Sequence, residues 1–166
     1  MKKKAILSVT NDLSSDQRVH KVCMFLINNG FEVIMVGRRR RKSLFLEKRL
    51  YQTKRMFLLF EKGLFFYAEY NLRLFFFLLF QKADVLVAND LDTLPANYLV
   101  SKLLGSILVY DSHEYFTGVP ELKGRKIVKK IWKMIEQFIF PKLKYVYTVN
   151  ESIAELYRKE YGTDVK

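Results

Sequence analysis

Two rhythms of apolar residues alternate along the chain: short unbroken runs, and longer stretches in which apolar positions recur at helical spacing. The first run, AILSV at 5–9, reads as a buried strand. After a polar loop, Ser14 and Gln17 have the spacing of a capping box, and Val19, Val22, Cys23 and Leu26 follow at helical spacing until Asn29-Gly30. FEVIMV at 31–36 is a second strand, so strand, helix and strand fit within about 35 residues, the size of a right-handed parallel crossover. The grammar then repeats without a sequence repeat. MFLLF at 56–60 predicts a strand, 63–81 a helix, DVLVA at 84–88 a strand, and 93–104 a helix with Pro95 in its first turn and Gly105 beyond its end. SILVY at 106–110 predicts a strand, 123–140 a helix stopped by Pro141, YVYTV at 145–149 a strand, and 151–161 a helix. Six strands alternating with five helices imply an α/β, Rossmann-like, doubly wound parallel sheet. The closing GTDVK reads as the start of another strand, and hence as a truncation point or domain boundary.

Composition narrows this picture. The chain has 166 residues, 50% of them hydrophobic, which suits one domain and leaves no room for a second. One cysteine, Cys23, excludes an internal disulfide framework and fits a reducing compartment, so a cytoplasmic location is expected. The net charge of +12 is local: residues 1–60 carry 14 Lys/Arg against 4 Asp/Glu. Its centre, GRRRRKSLFLEKRLYQTKR at 37–55, mixes cations with Leu, Phe and Tyr, as expected of a segment resting on anionic headgroups. A nucleic acid would also attract such a patch, and a solvated loop is the plainer alternative. MKKKAILSV is not an export signal, because its apolar run stops at Thr10-Asn11-Asp12. LFFYAEYNLRLFFFLLF at 64–80 is broken by Glu69, Asn71 and Arg73, which leaves far less than the roughly 20 apolar residues a spanning helix needs.

Candidate chemistry gathers where the strands end. Open parallel sheets bind ligands beyond the carboxyl ends of their strands. Those ends carry Asn11 and Asp12 after the first strand, Asn89, Asp90 and Asp92 after the fourth, Asp111, Ser112, His113 and Glu114 after the fifth, and Asn150 after the sixth. Alternation along an extended chain puts Asp111 and His113 on one side, so the pair can act together, the aspartate favouring the imidazolium. Asp92 or Thr93 is placed to cap the helix containing Pro95, which leaves Asp90 as the better ligand candidate. Asp16 and Arg18 lie in or just beyond the first strand-to-helix loop, although Arg18 suits solvent equally. His20 and Cys23 have metal-like spacing, but two histidines and one cysteine cannot complete a zinc site. Neither G-x-G-x-x-G nor G-x-x-x-x-G-K-[ST] occurs, which argues against a dinucleotide or triphosphate cradle at the first helix.

ND....D.RV.K....L...GFEV..VGR at 11–38, ADVLVANDLDTL at 83–94, LVYDSHEYF at 108–116 and YVYTVNESIAELY at 145–157 occur in that order. Together they resemble the amino-terminal half of family 4 glycosyltransferases of the GT-B fold, especially bacterial members with a D-x-H-E element. The resemblance implies a Rossmann-like acceptor-binding domain over 1–166, with a second, nucleotide-sugar domain outside this chain. It also implies transfer of a sugar with retention, to a glycan or lipid-linked acceptor, with the nucleotide-sugar as substrate and neither cofactor nor metal. His113, with Asp111, would lie beside the transferred sugar. Asn11, Asp12, Asp16, Arg18, Asn89, Asp90, Glu114 and Asn150 would bind substrate. Arg38, Arg39, Arg40, Arg41 and Lys42 would dock the enzyme peripherally on the inner face of the membrane, and the isolated domain would be inactive. The glycine-free first loop departs from the many members with a glycine-rich one. Two rival readings are a stand-alone basic module for RNA or another anionic partner, and half of a sugar-nucleotide epimerase. The acidic strand-end rim argues against nucleic acid.

Overall fold

The computed structural model describes residues 2–14, 16–118 and 124–166. Its core is one parallel sheet, made of β1 (Lys4–Asp12), β2 (Glu32–Arg39), β3 (Gln52–Phe57), β4 (Val85–Asn89), β5 (Ile107–Ser112) and β6 (Tyr145–Thr148). They lie in the order β3-β2-β1-β4-β5-β6, every neighbouring pair parallel. The order reverses between β1 and β4, the switch point at which such sheets open a crevice. Because both faces of β1 are covered, its residues form a continuous buried run rather than an alternation.

Helix α1 (Gln17–Asn28) buries Val19 and Cys23 on one face, against Leu7, Met35 and Val87. Helices α2 (Gly63–Leu79) and α3 (Leu94–Leu104) cover the other, against Ile6, Ile34 and Leu86. Helices α4 (Lys126–Ile139) and α5 (Glu151–Tyr161) complete that side over Tyr110 and Val146. Within it Phe140 stacks on Tyr157 and Tyr161, with ring centroids 4.5 and 4.6 Å apart.

Four boundaries differ from the sequence reading. β3 begins at Gln52 rather than 56, because its backbone pairs with Ile34 onward while Leu59 and Phe60 donate their amides to Glu69 of α2. α1 is capped by Asp16, whose Oδ1 accepts the Val19 amide at 3.0 Å, and not by Ser14. α4 starts at Lys126, the expected first position, 123, lying outside the described residues. β1 runs on to Asp12, with a register irregularity after Ser8 that re-aims Thr10 and Asn11. Gly37 permits this bend: a Cβ there would lie 2.4 Å from Leu13 Cδ2 and 2.7 Å from the Asn11 carbonyl. The closing residues pair Val165 with Val146, in line with the expected further strand. Among the described residues, no helix is long and apolar enough to cross a membrane.

Candidate functional site

Pairing of β4 with β5 sets Asn89 opposite Asp111, so the loops that follow meet at the sheet's end. Asp90 then grips His113 twice: its Oδ1 accepts the His113 amide at 2.9 Å, and its Oδ2 lies 2.8 Å from Nδ1. The grip depends on a left-handed backbone at Asp90, φ +63°, which also lets the Asp90 amide donate to the Asp111 carbonyl. The Arg18 guanidinium closes on the same Nδ1 from the first turn of α1. One ring nitrogen serves only one of them at a time: with its hydrogen it donates to Asp90, without it it accepts from Arg18. On the far side, Nε2 is 3.0 Å from Asp111 Oδ2 but poorly aligned, and so remains buried without a hydrogen-bond partner. Asp111 does stand beside His113, as alternation predicts. The better-aligned carboxylate, however, belongs to the neighbouring strand.

Beside this cluster a cleft of about 430 Å³ opens at the switch point. Its floor holds Thr10, Asn11, Asp90, Asp92 and Glu114, and Tyr67 and Trp132 form part of its wall. Asp92 is 7% exposed; its Oδ2 accepts the Thr10 hydroxyl at 2.5 Å, while Oδ1 has no partner. Burial pushes the Asp92 carboxyl up to about 7, against the Thr10 hydrogen bond and Arg38, and pushes Asp111 up to about 6. Burial, then the charge of Asp92, raises Asp90 as well. A carboxyl with a raised pKa holds its proton better in the folded chain, so its contribution to stability falls as pH rises from about 4 through 7. Asp92→Asn is therefore expected to stabilise the chain by about 1–3 kcal/mol at pH 8 and by almost nothing at pH 4. Urea unfolding at both pH values checks this, and an Asn variant weaker at pH 8 would contradict it.

Several expected ligands prove to be committed elsewhere. Asp12 turns towards β3, where Arg55 meets both carboxylate oxygens at 2.9 and 3.1 Å and the Ser43 hydroxyl donates to one of them. Burial would raise its pKa, but those partners and the Ser14 amide hold it below the usual carboxylate range. Asp16 caps α1, and Asn150 caps α5 through the Ile153 amide at 3.0 Å. Asn89 is buried, donating to the Ser8 carbonyl at 3.0 Å and so tying β4 to β1. Arg38, expected among the docking cations, lines the cleft with its guanidinium 4.7 Å from the Phe66 ring centroid. Arg39, Arg40, Arg41 and Lys42 stay exposed. Thr93 begins α3 without capping it; Asn71 of α2 accepts the Ala96 amide at 3.2 Å instead.

His20 faces the Tyr51 hydroxyl at 2.7 Å, and burial pushes the Cys23 thiol up to about 12, so neither is poised to ligate. Among the described residues no cluster of three potential ligands could hold a metal ion. The cleft also gathers residues the sequence reading passed over, notably Lys62, Gly63 and Arg125. They come from loops without a motif, and only the fold brings them to the rim.

The family model for Glycosyltransferase Family 4 matches residues 16–166. No curated protein sequence matches the chain. Among solved structures, sucrose-phosphate synthase from Thermosynechococcus elongatus is 12% identical, aligns over 100% of this chain and 47% of its own, and gives a TM-score of 0.70. Os79 from O. sativa, in complex with UDP and deoxynivalenol-3-glucoside, is 13% identical over 98% of this chain and 51% of its own, at 0.64. UDP-GlcNAc 2-epimerase from Methanocaldococcus jannaschii is 17% identical over 96% and 42%, at 0.56. The chain thus spans about half the length of these three, and at such identities the likeness is one of fold.

Proposed function

Because the chain belongs to glycosyltransferase family 4 and has the Rossmann-like fold of one half of a GT-B enzyme, we propose that it is the acceptor-side domain of a retaining glycosyltransferase working at a membrane surface. A second domain outside these residues supplies the nucleotide-sugar site, and the 166-residue chain alone does not turn over donor. The observation that carries this reading is His113, fixed by Asp90 at the strand ends beside an open cleft with an acidic floor. In the reaction, the bond from the anomeric carbon to the diphosphate oxygen breaks. The acceptor hydroxyl oxygen bonds to that carbon, and its proton leaves with the diphosphate. The imidazole of His113, 10% exposed and oriented by Asp90, is the group that meets a hydroxyl of the transferred sugar or a donor phosphate oxygen. Asp92 and Glu114, which line the cleft, face the acceptor.

Membrane docking falls to Arg39, Arg40, Arg41 and Lys42, supported by Leu44 and Phe45 at 74% and 90% exposure. On this reading the enzyme works on the inner face of a bacterial membrane, in polysaccharide assembly. The test is transfer by a longer chain that contains these residues, from a panel of nucleotide-sugars to membrane-extracted acceptors. Transfer with the anomeric configuration retained supports the reading; an inverted product, or turnover by the 166 residues alone, overturns it. Neutralising the four exposed cations is expected to weaken co-sedimentation with anionic vesicles at least about a hundredfold, each contributing about 1 kcal/mol. Unchanged sedimentation would remove the docking role.

A further inference from the structure

Arg18 touches His113, and the fold leaves it without a carboxylate of its own. It stands in the first turn of α1, is exposed, and among the described residues forms no ion pair. Its guanidinium meets the His113 Nδ1 that Asp90 Oδ2 also approaches, at 2.8 Å. The acids around the ring feel the same charge. Burial, then the charge of Asp92, pushes Asp90 up to about 8, and Arg18 opposes them. Burial pushes Asp111 up to about 6, opposed by the Tyr147 hydroxyl and then by Arg18. Glu114 adds to the rise at Asp90 and Asp16 to that at Asp111, while the Tyr147 phenol, raised by burial and by Asp111, stays neutral. A guanidinium and an imidazolium repel at contact range, so the ring has two alternative states. In one, Arg18 donates to a bare Nδ1 and the ring is neutral, its hydrogen on Nε2 towards Asp111. In the other, Nδ1 carries a proton and donates to Asp90, and the guanidinium is displaced.

We infer that Arg18 is a positioning residue that ties the charge of His113 to the presence of a diphosphate. In the empty site Arg18 holds the ring neutral. A diphosphate drawn to the exposed guanidinium takes it off the ring, Nδ1 gains a proton from solvent, and an imidazolium results between Asp90 and Asp111. The planar guanidinium fork suits phosphate oxygens bidentately. Within the chain the nearest acid in sequence, Asp16, is committed to the α1 cap through the Val19 amide. Neither Arg18 nor His113 lines the 430 Å³ cleft, so an anion reaches Arg18 without entering it. The inference rests on the reading of His113 as the group beside the transferred sugar and deepens it. The ring is charged only while the diphosphate whose departure it assists is bound, and an empty site holds no acid.

The chain has two histidines, so its imidazole nitrogens can be followed singly, with His20, held by the Tyr51 hydroxyl at 2.7 Å, as internal reference. The isotopically labelled 166-residue chain is titrated with acid and base by nuclear magnetic resonance, with inorganic pyrophosphate as the probe and sodium chloride of equal ionic strength as the control. Without the anion, His113 should show a neutral ring at pH 7 with its hydrogen on Nε2. Saturating pyrophosphate should raise the His113 midpoint by about one pH unit and move the proton pattern to both nitrogens, leaving His20 unmoved. Arg18→Gln should give the same rise with no anion present, because the repelling charge is gone, and pyrophosphate should then add nothing. Arg18 is exposed and Gln is a good helix former, so this variant keeps the fold. A purely structural Arg18 would leave the midpoint and the tautomer where they are. An unchanged midpoint in Arg18→Gln, no response of the unaltered chain to pyrophosphate, or an equal response with and without Arg18 overturns the inference. Donor and turnover play no part in this experiment. A failure here leaves the transferase reading standing, and a failure of transfer by the longer chain leaves the coupling of Arg18 to His113 standing.

Discussion

His113→Ala in the two-domain enzyme is expected to lower turnover by about 10²–10⁴-fold, the range for a positioned proton donor or hydrogen-bond donor at a reacting centre. Stability should fall by only about 1–3 kcal/mol, because the ring, though just 10% exposed, chiefly partners Asp90, whose Oδ2 loses that contact while its Oδ1 keeps the residue 113 amide. The loss should appear in kcat rather than in acceptor KM, since His113 does not line the cleft proper. Asp90→Asn should show a smaller defect with an altered pH profile. An amide still tolerates the left-handed backbone, but it cannot accept from both the His113 amide and the ring. An alanine variant that transfers sugar at the rate of the unaltered enzyme would remove His113 from the mechanism.

Lys133→Met is expected to destabilise the chain by about 3–5 kcal/mol, because it strands a buried carboxylate. Glu136 is fully buried in α4, and Lys133 reaches its Oε2 at 2.9 Å. The same ammonium meets Glu160 at 2.5 Å and donates to the Tyr161 and Tyr115 hydroxyls at 2.9 and 3.2 Å. Burial opposes the charge on Lys133, but the two glutamates raise its pKa overall. Combining Lys133→Met with Glu136→Gln should restore most of the loss in urea unfolding, since the uncompensated charge is then gone. Equal loss in the single and double variants would show that packing, not charge, is what Lys133 provides. Thr117 also reaches Glu136, at 3.3 Å, so the network anchors the turn that follows His113 and Glu114.

The sheet was legible because parallel strands covered on both faces are near-continuous apolar runs, and AILSV, FEVIMV and DVLVA are such runs. β3 was misplaced for the converse reason. It is an edge strand whose residues QTKR are mostly exposed, and the apolar run beside it lies largely beyond the pairing, with Leu59 and Phe60 open to solvent. The polar rim could be read from strand ends, but not which residues meet there. His113 pairs with Asp90 only because β4 lies next to β5, a fact of strand order that local sequence does not carry. Arg38 illustrates the same limit. Within the run Arg38–Arg41 nothing distinguishes it, yet as a residue of β2 it faces the cleft, while the next three residues are exposed.

The strand order also governs the moment at which the chain can fold. β1 is central, yet one of its two partners, β4, pairs Ser8 with Ala88. At ribosomal rates of about 5–20 residues per second, the second edge of β1 waits roughly 4–16 s for that partner. During this interval only β2 can pair with the nascent strand, and β3 with β2, leaving the other hydrogen-bonding edge of β1 open to neighbouring chains. Slow codons between residues 40 and 84 would lengthen the exposure and increase aggregation, whereas silent changes after residue 110 would have much less effect.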